Sequence, residues 1–229
     1  MLFRSVTIES DAWLTLDPAA QLTVDAGVTL ERRGQLSPQT ATLVLNRGNW
    51  TNNGGILDEP GQSTVVFNGY DDQQINGTAT SQVFGNVTVN NMSMTTPELQ
   101  VGGSTTTLDI GGTLTINADA TLDAGTANRV NLGGDLINNG GAFQGRSSLL
   151  TRINGSGPQT IGGSASSQTF PGPLIVDKSG GSLSLGGGTT QVNVNGGLDI
   201  LGGGFNLGSG TLTVNGPTTV AKKIGRAHV

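Results

Sequence analysis

Asn52–Phe84 reads NNGGILDEPGQSTVVFNGYDDQQINGTATSQVF, and Asn138–Phe170 reads NNGGAFQGRSSLLTRINGSGPQTIGGSASSQTF. Laid over each other without a gap, at an offset of 86 residues, they agree at 13 of 33 positions. The shared residues include NNGG, Asn68-Gly69 with Asn154-Gly155, Gln73 with Gln159, Ile75 with Ile161, Gln82 with Gln168 and Phe84 with Phe170. A second pair, LTVDAGVTL at Leu22–Leu30 and LTINADATL at Leu114–Leu122, returns at an offset of 92 residues. Loop insertions are expected to supply the difference. The chain thus holds about two and a half copies of one unit, and repetition of this kind marks an architecture built by stacking.

Inside each copy, shorter runs alternate apolar and polar residues: WLTL at Trp13–Leu16, LVL at Leu43–Leu45, then TVVF, NVTVN, TLTI, RVNL, VNVN and TLTV. Alternation with a period of two is the mark of a half-buried strand. Gly-Gly, Asn-Gly and Gly-Ser punctuate the runs, residues that tolerate the backbone of tight turns. Two all-β folds accommodate a unit of this size. Tandem Ig-like β-sandwiches run to about 100 residues each, but their cores rest on bulky aromatic residues, and this chain has two Trp and one Tyr. A right-handed parallel β-helix, or β-solenoid, also explains why strands recur faster than the 86-residue unit. We expect a solenoid of roughly ten coils, about 50 Å long at about 4.8 Å per coil. Leu, Val and Ile should form inward ladders, Thr should point outward, and Asn of the NNGG corners should stack as amide ladders.

Composition narrows function. Eleven basic residues face 16 acidic ones, a formal net charge of −5, so clustered cations for nucleic acid are not expected. The absence of cysteine excludes disulfides and thiolate metal sites. No apolar run approaches the roughly 20 residues of a membrane-spanning helix, and MLFRSVTIES has no signal-peptide core.

The two ends read differently from the body. With permitted codons, Lys223–Val229 can be written AAG ATC GGA AGA GCA CAC GTC and Met1–Ser5 GTG CTC TTC CGA TCT. The reverse complement of the second lies inside the first, and the shared oligonucleotide resembles a common sequencing adapter. Residues 1–5 and 224–229 are therefore expected to be read-through flanking one continuous solenoid fragment, residues 6–223. His228, the sole histidine, falls in the foreign tail. No polar cap is evident at either end, which is expected of a piece of something longer.

The motifs GNWTNNGG, TVVFNG, QTIGGSASSQTF, LTVDAGVTLE and GGFNLGSGTLTVNG resemble the degenerate repeats of very large bacterial surface and secreted proteins, the filamentous-haemagglutinin and autotransporter-adhesin type. The resemblance covers nearly all of residues 6–223. It implies an extracellular or cell-surface parallel β-helix, acting as a stalk or a shallow binding surface, with surface glycans or host and matrix molecules as partners.

Solenoids also carry polysaccharide lyases and hydrolases, the alternative function. Glycoside hydrolysis needs two carboxylates about 5–10 Å apart. Asp71-Asp72 is the nearest sequence match, yet the second copy has Gly157 and Pro158 there, as a permissive turn would. Asp58-Glu59, Asp109, Asp119, Asp123 and Asp135 are dispersed, so no catalytic residue is assigned. LGGGFNLGSG and LGGDLINNGG lack the calcium nonapeptide pattern, and Gly186–Gly188 are followed by no Gly-Lys-Ser/Thr of a phosphate loop. No metal or cofactor is expected. Thr113/Thr115 and Thr211/Thr213 recur too irregularly for an ice-binding array and fit ordinary strand propensity. Trp13 and Trp50 are the candidate ligand contacts, able to stack on sugar rings if exposed; their alternating runs favour burial.

Overall fold

The computed structural model describes residues 2–58, 60–91 and 98–221. Among them every regular element is a β-strand except one 3-10 turn at Pro60–Gln62. The strands come in threes, one to each face of a coil. Coil one has β1 (Leu2–Phe3), β2 (Val6–Ile8) and β3 (Trp13–Thr15). Coil two has β4 (Gln21–Val24), β5 (Gly27–Leu30) and β6 (Gln35–Ser37). Coil three has β7 (Thr42–Leu45), β8 (Asn49–Asn52) and β9 (Ile56–Leu57). Coil four has β10 (Thr64–Phe67), β11 (Gln73–Asn76) and β12 (Ser81–Phe84). Coil five has β13 (Asn86–Val89), β14 (Glu98–Val101) and β15 (Thr107–Ile110). Coil six has β16 (Leu114–Ile116), β17 (Thr121–Asp123) and β18 (Arg129–Leu132). Coil seven has β19 (Leu136–Asn138), β20 (Ala142–Gln144) and β21 (Leu150–Ile153). Coil eight has β22 (Gln159–Gly162), β23 (Ser167–Phe170) and the start of β24 (Leu174–Leu185). β24 turns a corner into coil nine, which continues with β25 (Gln191–Val194) and the start of β26 (Leu198–Asn206). The rest of β26, β27 (Thr211–Val214) and β28 (Thr218–Val220) make coil ten.

Neighbouring coils pair in parallel, as β4 with β7 and β7 with β10. This is a parallel β-solenoid of about ten turns, and the sandwich alternative, which needs antiparallel strands, falls. Because β24 and β26 run unbroken round a corner, the first and third faces join in one 15-stranded sheet.

Alternation within each strand sends every second side chain inward. On the first face Leu22, Leu43, Val65, Val87, Leu114, Leu136 and Ile161 stack in register. All seven are buried. On the third face Phe84, Ile110, Leu132, Ile153 and Val176 do the same. At about 25 cal/mol per Å² of apolar surface, these ladders carry the hydrophobic stabilisation.

The repeat unit does not return to its own face. β8 corresponds in sequence to β19, β10 to β21, β11 to β22 and β12 to β23, each eleven strands on. Three strands complete a coil, so the second copy is turned by one face: Gln73 stands on the second face, Gln159 on the first. The match of Leu22–Leu30 with Leu114–Leu122 spans twelve strands, β4 to β16, and does return to the same face. The excess of this offset over the other thus comes from one more strand step, not from the loop insertions expected.

Amide stacking occurs, but not at every NNGG asparagine. Asn46 Nδ2 donates to Asp25 Oδ1 (3.1 Å), Asn68 Nδ2 to Asn46 Oδ1 (3.4 Å), and Asn90 Nδ2 to Asn68 Oδ1 (2.6 Å). Asn117 Nδ2 donates to Asn90 (2.7 Å) and Asn139 Nδ2 to Asn117 (3.1 Å). Each residue of this ladder directly follows a first-face strand. Asn52 and Asn138 instead turn inward and accept from Gly54 N and Gly140 N, both at 2.9 Å. Of the segments set apart as adapter sequence, Leu2–Phe3 pairs with β4, while residues 224–229, with His228, lie outside the described residues.

Candidate functional site

The two tryptophans separate. Trp50 occupies an inward position of β8, stacked between Val28 and Ile75, and is 1% exposed. Its ring lies 5.2 Å from that of Phe84, and its Nε1 donates to Gln82 Oε1 at 3.3 Å. It is a core residue with no face for a ligand, because the alternation of Asn49-Trp50-Thr51 sends its neighbours out and the ring in. Trp13, against the burial its alternating run favoured, takes the outward phase of β3 and is 83% exposed, because Leu14 and Leu16 take the inward phase. Coil register places Gln35 and then Ile56 beside it, an outward column along the third face. Arg33 and Asp11 form an exposed ion pair at 2.6 Å. The column offers an indole and an aliphatic side chain about 10 Å apart along the axis, a flat surface for a ligand with one apolar face.

Asp71 and Asp72 lie exposed in the turn between β10 and β11. Asp72 Oδ1 accepts the backbone N–H of Glu98 at 3.2 Å. Glu98 and Asp123 are joined by Gln100, whose Nε2 lies 3.4 Å from Glu98 Oε1 and 3.4 Å from Asp123 Oδ2. Desolvation, then the charges of Asp123 and Asp72, push the Glu98 carboxyl above its ordinary range. The sequence lists these acids tens of residues apart; the pairing of Gln100 with Asp123 across coils brings them together. Among the described residues no three His, Cys, Asp or Glu side chains converge where they could hold a metal ion.

Lys178 is buried at the bend of β24, its Nζ donating to Gly155 O at 3.1 Å and to Gln159 Oε1. Desolvation draws its pKa down, opposed in part by Asp135. Alternation along Leu174–Leu185 could have flagged a lysine in an inward phase, but its partners come from the coil before. Comparison with protein-family models, with curated proteins and with solved structures returns no match for this chain.

Proposed function

We propose that this solenoid is a structural and adhesive segment of a large bacterial extracellular repeat protein, a stalk whose outer faces offer shallow binding surfaces. The observation that carries the reading is what the two copies keep. Asn52, Gln73, Ile75, Gln82 and Phe84 are buried, and so are their identical counterparts Asn138, Gln159, Ile161, Gln168 and Phe170. Several outward positions change, Val66 becoming Arg152, Gln74 Thr160 and Val83 Thr169, while Asn53 and Ser81 are kept as Asn139 and Ser167. A rod needs its interior kept and leaves its surface free.

Two measurements test the two halves of this reading. The chain has no cysteine, so spin labels at Thr7→Cys and Thr219→Cys, nine coils apart, report on stiffness alone. A narrow distance distribution near 43 Å is expected; a broad one removes the stalk. For adhesion, the chain is passed over immobilised glycans and matrix proteins, with retention expected to weaken in Trp13→Ala. Retention on none of them removes the adhesive role.

Polysaccharide cleavage is the second reading, favoured by the Glu98–Asp123 pair, since a carboxyl whose pKa is raised beside a second carboxylate is the arrangement of a general acid. Release of reducing ends that disappears in Glu98→Gln would establish it in place of the first.

A further inference from the structure

We infer that the corner between the first and second faces, at coils two to four, is a binding site for a neutral hexopyranose glycan. It rests on the adhesive half of the proposed function and names a place and a ligand class for it. The corner holds a depression of about 440 Å³ lined by Asp25, Asn46, Arg47, Asn68 and Tyr70, within the ~300–1,000 Å³ common for small-molecule sites. Its floor is the start of the amide ladder. Asn46 and Asn68 each spend one N–H on the ladder, and an amide nitrogen carries two. One oxygen of Asp25 takes the Asn46 bond, leaving the other to accept. Arg47 is exposed and makes no ion pair among the described residues, so its N–H groups face outward unspent. Tyr70, the only tyrosine, is 64% exposed beside them.

These are the components that sugar rings require. An aromatic face takes the apolar C–H side of a pyranose. Fixed donors and acceptors alternate to meet its hydroxyls, each of which both donates and accepts. One Arg and one Asp leave the site without net charge, which favours a neutral ring over a uronate. Three coils give the dent a length of about 10 Å, space for two linked rings. In the matched repeats Asn117 stands in place of Asp25 and Ser156 in place of Tyr70. The repeat therefore keeps the asparagine but not the aromatic ring or the carboxylate of this set.

The test uses the whole chain labelled with ¹⁵N and, at the single tyrosine, with ¹³C. It is titrated with cello-, manno-, malto- and chito-oligosaccharides. With at least one of them, shifts are expected in the Tyr70 ring and in the side-chain amides of Asn46 and Asn68. Affinity should fall about tenfold in Tyr70→Ala, recover in Tyr70→Trp, and stay unchanged in Val83→Ala, an exposed residue of the third face. Binding that survives Tyr70→Ala but is lost in Trp13→Ala overturns this site and leaves the adhesive reading standing. No shift at Tyr70 with any of the four at millimolar concentration overturns it too. Tighter binding of a uronate oligosaccharide than of all four overturns the neutral-ligand assignment.

Discussion

A glutamine in an apolar interior needs several partners, and Gln73 finds them in the backbone. Its Oε1 accepts Gly69 N–H at 2.9 Å, and its Nε2 donates to Leu45 O (3.2 Å) and Gly48 O (2.8 Å). Gln159 repeats the arrangement with Gly155 N, Leu132 O and Gly134 O. Replacing Gln73 by Leu strands Gly69 N–H and Gly48 O, while Leu45 O keeps the Asn68 N–H at 2.8 Å, so a loss of about 2–4 kcal/mol is expected in urea unfolding. The outward Gln74→Leu should cost under about 1 kcal/mol. The identity of Gln73 with Gln159 was plain in the sequence; that both brace a corner was not, since the carbonyls each donates to sit on the preceding coil. Lys178 gives a pH-dependent counterpart. Its folded pKa is lowered from 10.5 chiefly by burial, so the unfolded chain binds its proton more tightly. Stability then rises with pH between the lowered value and the ordinary one. Thermal melts from pH 7 to pH 10 should show a gain for the wild type that Lys178→Met lacks.

At the scale of the element, corners matter as much as strands. Gly77 and Gly163 both have φ of +112°, and a Cβ there would lie 2.1 Å from Asn52 O and 2.0 Å from Asn138 O. The same turn is thus built twice, on different faces, by a glycine set over an asparagine carbonyl: the local chemistry of a corner does not depend on which face it closes. Gly163→Ala must move backbone against backbone, and a loss of about 2 kcal/mol or more is expected. At Gly157, where nothing lies within 4 Å and φ is not in the left-handed range, alanine should be tolerated. Chemical denaturation of the two variants side by side checks the contrast.

For the whole molecule, stability should behave as a sum over coils and the contacts between them. Leu114 pairs with Leu136, one coil of 22 residues on. Excising residues 114–135 sets Leu136 under Val87 where Leu114 stood. We expect the shortened chain to keep its β-sheet circular dichroism per residue and to unfold at a lower temperature. An unfolded product would show that the coils are not modular. Against this modular background, the alternation of TLVL, TVVF and NVTV settled by itself that the chain makes short strands, and in those runs which side chains turn inward, though not at WLTL, where Trp13 faces out. It also disclosed the repeat. Only the stacked structure decided the register, because the step varies from 20 residues at Leu198–Thr218 to 27 at Val87–Leu114. Corner lengths accumulate along the chain, and no local pattern records their sum. For that reason the turn of the repeat by one face, the burial of Trp50 against Phe84, and the meetings of Glu98 with Asp123 and of Tyr70 with Arg47 belong to the tertiary structure alone.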